Sequence, residues 1–410
     1  MFSRKFNRHR GSAERLYAAP RKLAAPLLFL CLFLTGCSLR QMGVEAGLVD
    51  NPYYQEGDTE WDHGGIEEYY FNNLPSEYNE IYRELYSRLS AGEDSGDLYA
   101  RTDADHFWKA YYSVLADHPE LFWLDSSAEI QSNTFSGTVV RYSASTVVEP
   151  EKREEMRKAL EEAADACIAG IDPGFSDYGK IKAVYEYLIN ETDYDADAKD
   201  SQCVQSALLG HASVCAGYSK AFQYILHRMG YFCTYITGTI EGGGDHAWNI
   251  VRIDGNYYHV DVTWGDPVFA TEQEEGTGIS LMNYNYLCCT DEEIGLTHKA
   301  GDAIPLPACT EDYYNYYKLN GMYYESWDYD QVYNALMDSV YSGRSSIVLK
   351  FGSKEAYETA RYELFENSMI NDADQYLMRQ YGVNSWNNRY AVDDNFYVIM
   401  IQWIERKKES

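Results

Sequence analysis

Apolar positions along the chain recur with two periods, and these divide it into regions. Tyr78, Ile81, Tyr82, Leu85 and Leu89 have helical spacing, as do Phe107, Tyr111, Val114 and Leu115. Residues 134–148 alternate, are rich in β-branched side chains and stop before Pro150, which predicts a strand. A charged helix is expected over 151–169, with Met156, Leu160, Ala163, Ala164 and Cys167 on one face; Gly170 and Pro173 close it. Another spans 178–190 through Ile181, Val184, Tyr185 and Leu188. Beyond a polar stretch at 191–202, a helix starts near Cys215. Its stripe is Tyr218, Phe222, Ile225 and Met229, and Gly230 caps its end. Three strands are expected at 231–239, 246–253 and 256–264. Gly242-Gly243-Gly244 parts the first two, and Asp254-Gly255 reads as a two-residue hairpin loop between the others. From about residue 305 the pattern alternates: strand at 313–324, helix at 328–342, strand at 345–351, helix at 355–366 and strand at 395–403. This predicts a small α+β domain.

The first residues do not fit a folded pattern. A basic stretch precedes an apolar run at 23–35, shorter than the roughly 20 residues a membrane-spanning helix needs. The run ends in Leu34-Thr35-Gly36-Cys37, which resembles the bacterial lipobox. That resemblance implies cleavage before Cys37, acylation of its new N-terminus and an extracytoplasmic protein anchored to the cell membrane. The expected organisation is a lipoprotein signal peptide at 1–36, a flexible tether at 37–74, an N-terminal α+β region at 75–171, a catalytic domain at 172–304 and a small C-terminal domain at 305–410.

Charge narrows the partners. The formal net charge is −30 over 410 residues. The first 36 residues carry +6, from seven Lys/Arg against one Glu, so the remainder carries −36. Such a surface repels phosphate backbones, and no nucleic-acid partner is expected. After Cys37 there are seven cysteines at irregular spacing without CxxC pairs, so no zinc site is indicated and disulfide pairing is left open. Asp193, Asp195 and Asp197 lack the glycine and terminal Glu of a calcium loop. No metal or cofactor is expected.

A thiol catalyst needs a thiolate, a base to hold its proton and a group to orient that base. Cys215 stands at a helix start, where Ser213 is the expected N-cap and the dipole favours the thiolate. Its backbone N–H is placed to donate to an oxyanion. Ala216 and Gly217 are expected to leave room for a substrate carbonyl. If Ile253 faces Asn256, Asp261 lies opposite Trp248, so His246 and Asp261 become diagonal neighbours on one face of the hairpin. Ala247, Val251, Ile253, Tyr258, Val260 and Val262 fall on the other face. We expect that apolar face to be the inner one and the polar face to meet the cysteine's helix. Gln202 and Gln205 are candidates for a second oxyanion donor, and Trp248 is a candidate for lining the substrate cleft. His211 and His259 are read as structural.

The run Ser213-Val214-Cys215-Ala216-Gly217-Tyr218-Ser219 resembles the nucleophile motif of the transglutaminase-like superfamily. Asp245-His246-Ala247-Trp248-Asn249 and His259-Val260-Asp261-Val262-Thr263-Trp264 resemble its other two motifs, with the spacing of bacterial cysteine-protease members grouped with the kyphoscoliosis peptidase. The similarity covers about residues 178–268. It implies an α+β, papain-like core with the nucleophile on a helix N-terminus against an antiparallel sheet. It also implies a Cys215–His246–Asp261 triad that transfers acyl groups through a thioester. The expected function is a cysteine peptidase or amidase acting on a peptide, protein or cell-wall peptide. The alternatives are transglutaminase-type crosslinking and a non-catalytic surface binding or assembly module.

Overall fold

Asp254 and Gly255 both take positive φ, 50° and 82°, as a tight two-residue hairpin loop requires. Ile253 therefore pairs with Asn256, and the register runs unbroken to Asn249 opposite Val260. The two strands of this hairpin are interior strands of a five-stranded sheet. The computed structural model describes residues 41, 43–44, 48–54, 67–266 and 282–404; the expected signal peptide and Cys37 lie outside the described residues.

The first unit holds helices α1 (Tyr69–Asn73), α2 (Asn79–Ser90) and α3 (Ala104–Asp117). They pack on the antiparallel strands β1 (Ser95–Thr102), β2 (Leu124–Ser132) and β3 (Val139–Thr146), ordered β1-β3-β2. β1 and β2 escape the periodic reading because they are polar; only Leu124 of β2 is buried. The described part of the expected tether is mixed: Leu48, Val49 and Asp50 are exposed, whereas other residues pack on the first unit. Gln41 donates its amide to the carbonyls of Ala100 and Val139 at 2.8 and 2.9 Å, and Tyr69 and Tyr70 are buried.

The second unit contains α4 (Pro150–Ala169), α5 (Asp177–Glu191), the two-residue strand β4 (Asp193–Tyr194), α6 (Val204–Leu208), β5 (Ala212–Ser213) and α7 (Cys215–Arg228). α4 joins this unit instead of the N-terminal region, because Leu160, Ala164 and Cys167 bury against its core. Gly230 takes φ 79° just past the end of α7, as a glycine cap should. Then come β6 (Cys233–Ile240), β7 (Asp245–Ile253), β8 (Asn256–Val260), α8 (Val262–Gly265), β9 (Leu287–Cys289), α9 (Asp291–Ile294) and β10 (His298–Ala300). The five longer strands form one antiparallel sheet, ordered β10-β6-β7-β8-β9.

Both faces of that sheet are buried, which corrects the expected placement of the cysteine's helix. The α7 stripe of Tyr218, Phe222 and Ile225 packs on the apolar face of Val251, Ile253, Tyr258 and Val260. A stripe of large apolar side chains needs an apolar partner, and this face is the one that supplies it. The opposite face, with Phe232, Ile236, Trp248 and Ile250, is covered by Leu85, Phe107 and Tyr111 of the first unit. Contact between α7 and β7 is pinned by the Ser219 hydroxyl, which donates to Ala247 O at 2.9 Å, and by Asn249, which donates to Ser219 O at 3.1 Å. One helical turn before Ser219 brings Cys215 to the start of β7, where His246 is the second residue.

The third unit has α10 (Tyr316–Leu319), β11 (Tyr323–Tyr324), α11 (Tyr329–Tyr341), β12 (Ser346–Phe351), α12 (Lys354–Arg361), α13 (Ile370–Tyr381), β13 (Asn387–Asp393) and β14 (Val398–Ile404). Its sheet order is β11-β12-β14-β13. The strand expected at 313–324 is mostly helix and turn. Asn315 caps α10 by accepting from Tyr317 N and Lys318 N, and Gly321 turns the chain at φ 67°. Helix α13 and strand β13 had no counterpart in the sequence reading.

Candidate active site

Cys215 is the first helical residue of α7, and Val214 occupies the N-cap position without offering a side-chain acceptor. Ser213 is not the cap. Its hydroxyl is 2.9 Å from Ser201 O and 2.7 Å from the Ser206 hydroxyl, and its backbone pairs with Tyr194. The first-turn N–H groups therefore keep their donors for another acceptor, and the positive end of the helix dipole lies at the sulfur. Cys215 is also partly exposed, whereas the other six described cysteines are buried. Burial pushes the thiols of Cys167, Cys203, Cys233, Cys288, Cys289 and Cys309 up, which keeps them unreactive at neutral pH.

Gly217 serves a different purpose from the one expected. A Cβ there would stand 2.0 Å from Ser213 Oγ and 2.7 Å from both Ser201 O and Ser206 Oγ. The missing side chain makes room for the protein's own serine network, which ties the segment before Cys215 to α6. Gly217→Ala is expected to cost about 1–3 kcal/mol through overpacking, measured as a lower urea midpoint. Unchanged stability would mean that the serine network yields freely.

The strand expected at 256–264 stops at Val260, and Asp261 becomes the N-cap of α8, its Oδ1 accepting from Trp264 N at 3.1 Å. Its Oδ2 lies 2.6 Å from His246 Nε2. Cys215 is near enough to the His246 ring to help raise its pKa; with Nε2 held by Asp261, Nδ1 is the ring nitrogen left for the sulfur. The structure thus brings together the three residues singled out in the sequence, with His246 and Asp261 directly bonded. Burial opposes charge on His246, but the attraction and hydrogen bond of Asp261, and then the neighbouring Cys215 thiol, raise its pKa well above the ordinary value. Burial likewise opposes charge on Asp261, yet His246 and then His298 hold its carboxyl below the usual carboxylate range.

His298 was missed by the sequence reading. It projects from β10, wholly buried, with Nε2 2.9 Å from Asp261 Oδ2. Trp248, the expected cleft residue, is 1% exposed and packs in the core shared with the first unit. It stacks beside His246 with ring centroids 6.1 Å apart and donates its indole N–H to His259 Nδ1 at 3.0 Å. His259 in turn meets Asp291 Oδ1 through Nε2 at 3.0 Å, so both of its ring nitrogens have partners. His211 is exposed, with Nδ1 2.8 Å from Glu191 O.

Of the oxyanion candidates, Gln202 is exposed, and its backbone carbonyl accepts from Lys220. Gln205 is buried in α6, and among the described residues neither its amide oxygen nor its amide nitrogen has a hydrogen-bond partner. Among the described residues, two trios bring potential metal-ligating atoms within 4.8 Å of one another: His246, Asp261 and His298, and His259, Asp291 and Cys309. In the first, Asp261 Oδ2 already receives both imidazoles. In the second, His259 and Asp291 bond each other, and Asp291 Oδ2 accepts from Cys309 N. Among the described residues no helix is long and apolar enough to cross a membrane.

Residues 164–262 match the model of the transglutaminase-like superfamily. The chain is 28% identical to the kyphoscoliosis peptidase of Mus musculus over 118 residues, which are 25% of this chain and 18% of that protein. It is 28% identical to the kyphoscoliosis peptidase of Homo sapiens over 112 residues, 23% of this chain and 17% of that one. The chain thus spans less than a fifth of the length of these curated relatives. A solved structure described as that of a TGase is 13% identical and aligns over 41% of this chain and 50% of its own, with a TM-score of 0.25.

Proposed function

We propose that this chain, transglutaminase-like over residues 164–262, is a thiol enzyme that cleaves amide bonds in a peptide, protein or cell-wall peptide outside the cell membrane. The observation that carries the reading is the row Cys215–His246–Asp261, with His246 Nε2 2.6 Å from a fully buried carboxylate and the thiol on an uncapped helix start. The Cys215 thiolate attacks the amide carbonyl. The backbone N–H groups at the start of α7 receive the oxyanion. His246, holding the thiol's proton on Nδ1, passes it to the departing amine, and a thioester remains. Water, deprotonated by the same nitrogen, then releases the acid and restores the thiol. Gln205, buried and unpartnered, is the candidate for a further oxyanion donor. The lipobox-like sequence ending in Cys37 supports anchoring by lipid.

Alkylation by iodoacetamide tests the reading on the full chain in detergent, with each cysteine followed by mass spectrometry. At pH 6 we expect rapid labelling of Cys215, at least about ten-fold faster than in His246→Ala, while the six buried thiols stay protected. An inert Cys215, or one indifferent to His246, would remove the enzymatic reading and favour a binding module. Hydrolysis and crosslinking are separated by adding a labelled amine with a glutamine peptide, where incorporation would replace the hydrolase by a transferase.

A further inference from the structure

Three hydrogen-bond donors converge on the Asp261 carboxylate, and a Cys-His-Asp mechanism accounts for only one of them. Oδ1 accepts from Trp264 N, while Oδ2 accepts from both His246 and His298. His298 is anchored behind this contact. Its Nδ1 lies 2.8 Å from the Thr297 hydroxyl, which is 3.3 Å from the Tyr286 hydroxyl. Its ring is walled in by Trp264, Trp248 and Tyr286, with centroids 5.0, 5.2 and 5.6 Å away. Neither ring nitrogen faces solvent, since the side chain is wholly buried.

We propose that His298 is a positioning residue of the active site, its Nε2–H fixing the Asp261 carboxylate so that Oδ2 meets His246 Nε2. This rests on reading Cys215, His246 and Asp261 as the catalytic row. A carboxylate held by the Trp264 N–H alone is free to turn about its terminal torsion, and each turn moves the oxygen that orients His246. The second imidazole removes that freedom. It also supplies a buried, charge-assisted hydrogen bond to the ionised carboxylate, which would otherwise have an unfilled lone pair in an apolar box. A buried histidine with both nitrogens bonded is more often a packing residue than a functional one. Here both histidines share one carboxylate oxygen, so whatever moves His298 must act on the contact that orients His246.

Three variants of the full chain test this by the iodoacetamide rate of Cys215 at pH 6. Protection of the six buried thiols in the same spectra reports folding. His298→Ala is expected to lower the rate about ten-fold or more, the loss of one hydrogen bond to a charged group. His298→Gln, whose amide N–H can reach Asp261, is expected to recover to within about three-fold of the parent. Thr297→Val keeps the His298 ring but removes its anchor, and a smaller loss is expected. Downfield proton NMR gives the readout that packing alone would not move. Two imidazole N–H signals are expected in the parent. The one assigned to His246 should persist in His298→Gln and shift or broaden in His298→Ala. If the rate and the His246 signal are unchanged in folded His298→Ala, the proposal is overturned and the catalytic reading stands. If the histidine variants unfold, a normal rate in Thr297→Val overturns it and a reduced rate supports it. If Cys215 is inert in the parent, the catalytic reading fails and takes this proposal with it.

Discussion

Asp261→Asn is expected to slow acyl transfer by roughly 10³–10⁴-fold while leaving Cys215 at its helix start. Three N–H donors point at the carboxylate: Trp264 N, His246 Nε2 and His298 Nε2. An asparagine amide offers one acceptor oxygen and two donors of its own, so at least one of these contacts becomes donor against donor. Where the amide nitrogen meets His246, Nε2 must give up its proton and Nδ1 must carry it. An imidazole in that tautomer cannot accept the proton of the Cys215 thiol. The measurement is the burst of p-nitrophenol released on acylation by p-nitrophenyl acetate, which reads thioester formation without a known substrate. A burst rate within about three-fold of the parent would show that Asp261 does not set the tautomer of His246.

The same substitution should also leave a signature in the pH dependence of stability. Burial works against the charge on both partners, but their mutual attraction prevails, so the pKa of Asp261 is lowered and that of His246 raised. A lowered carboxyl stabilises the fold above its unfolded value near 3.9, and this is lost as pH falls through the folded value. A raised histidine stabilises the fold fully below its unfolded value near 6.5, and this is lost as pH rises through the folded value. Both contributions are complete only between about pH 4.5 and 6.5. Removing one partner of a buried pair costs about 3–5 kcal/mol. The gap between parent and Asp261→Asn should therefore be widest in that window and narrow towards strongly alkaline and strongly acidic pH. Urea midpoints across the range measure it, and a gap independent of pH would mean that the pair is not ionised in the folded protein.

What the sequence made legible was set locally. Asp254-Gly255 can form only a narrow choice of turns, so the hairpin register from Ile253–Asn256 to Asn249–Val260 followed from two residues. The α7 stripe and its closing glycine were equally readable, because one period and one cap decide them. The N-cap was missed by one residue, since the Ser213 hydroxyl finds acceptors in Ser201 and Ser206 that lie close only after folding. His298 was out of reach for a similar reason. It stands in a three-residue polar strand 37 positions after Asp261. Only the sheet order, with β10 beside β6 and β6 beside β7, carries it to the aspartate. The cysteine's helix was assigned to the wrong face because alternation shows that a strand has two faces, but not which elements cover them. In the third unit, tyrosines at 313–324 suggested a strand, whereas Tyr317 packs with Tyr286 and Phe396 between units.

A sheet buried on both faces has a practical consequence for anyone dissecting this protein. The family-matched segment ends at residue 262, so expressing it alone would omit β9, β10 and His298. It would also bare Trp248, Ile250 and Ile236 to water. Trimming back to the second unit restores the strands but still leaves that apolar face without the helices of the first unit. The smallest piece that keeps the sheet covered starts upstream of Tyr69, whose ring packs against Phe232 of β6's approach. Limited proteolysis should accordingly yield no stable fragment that retains Cys215 and lacks the first unit.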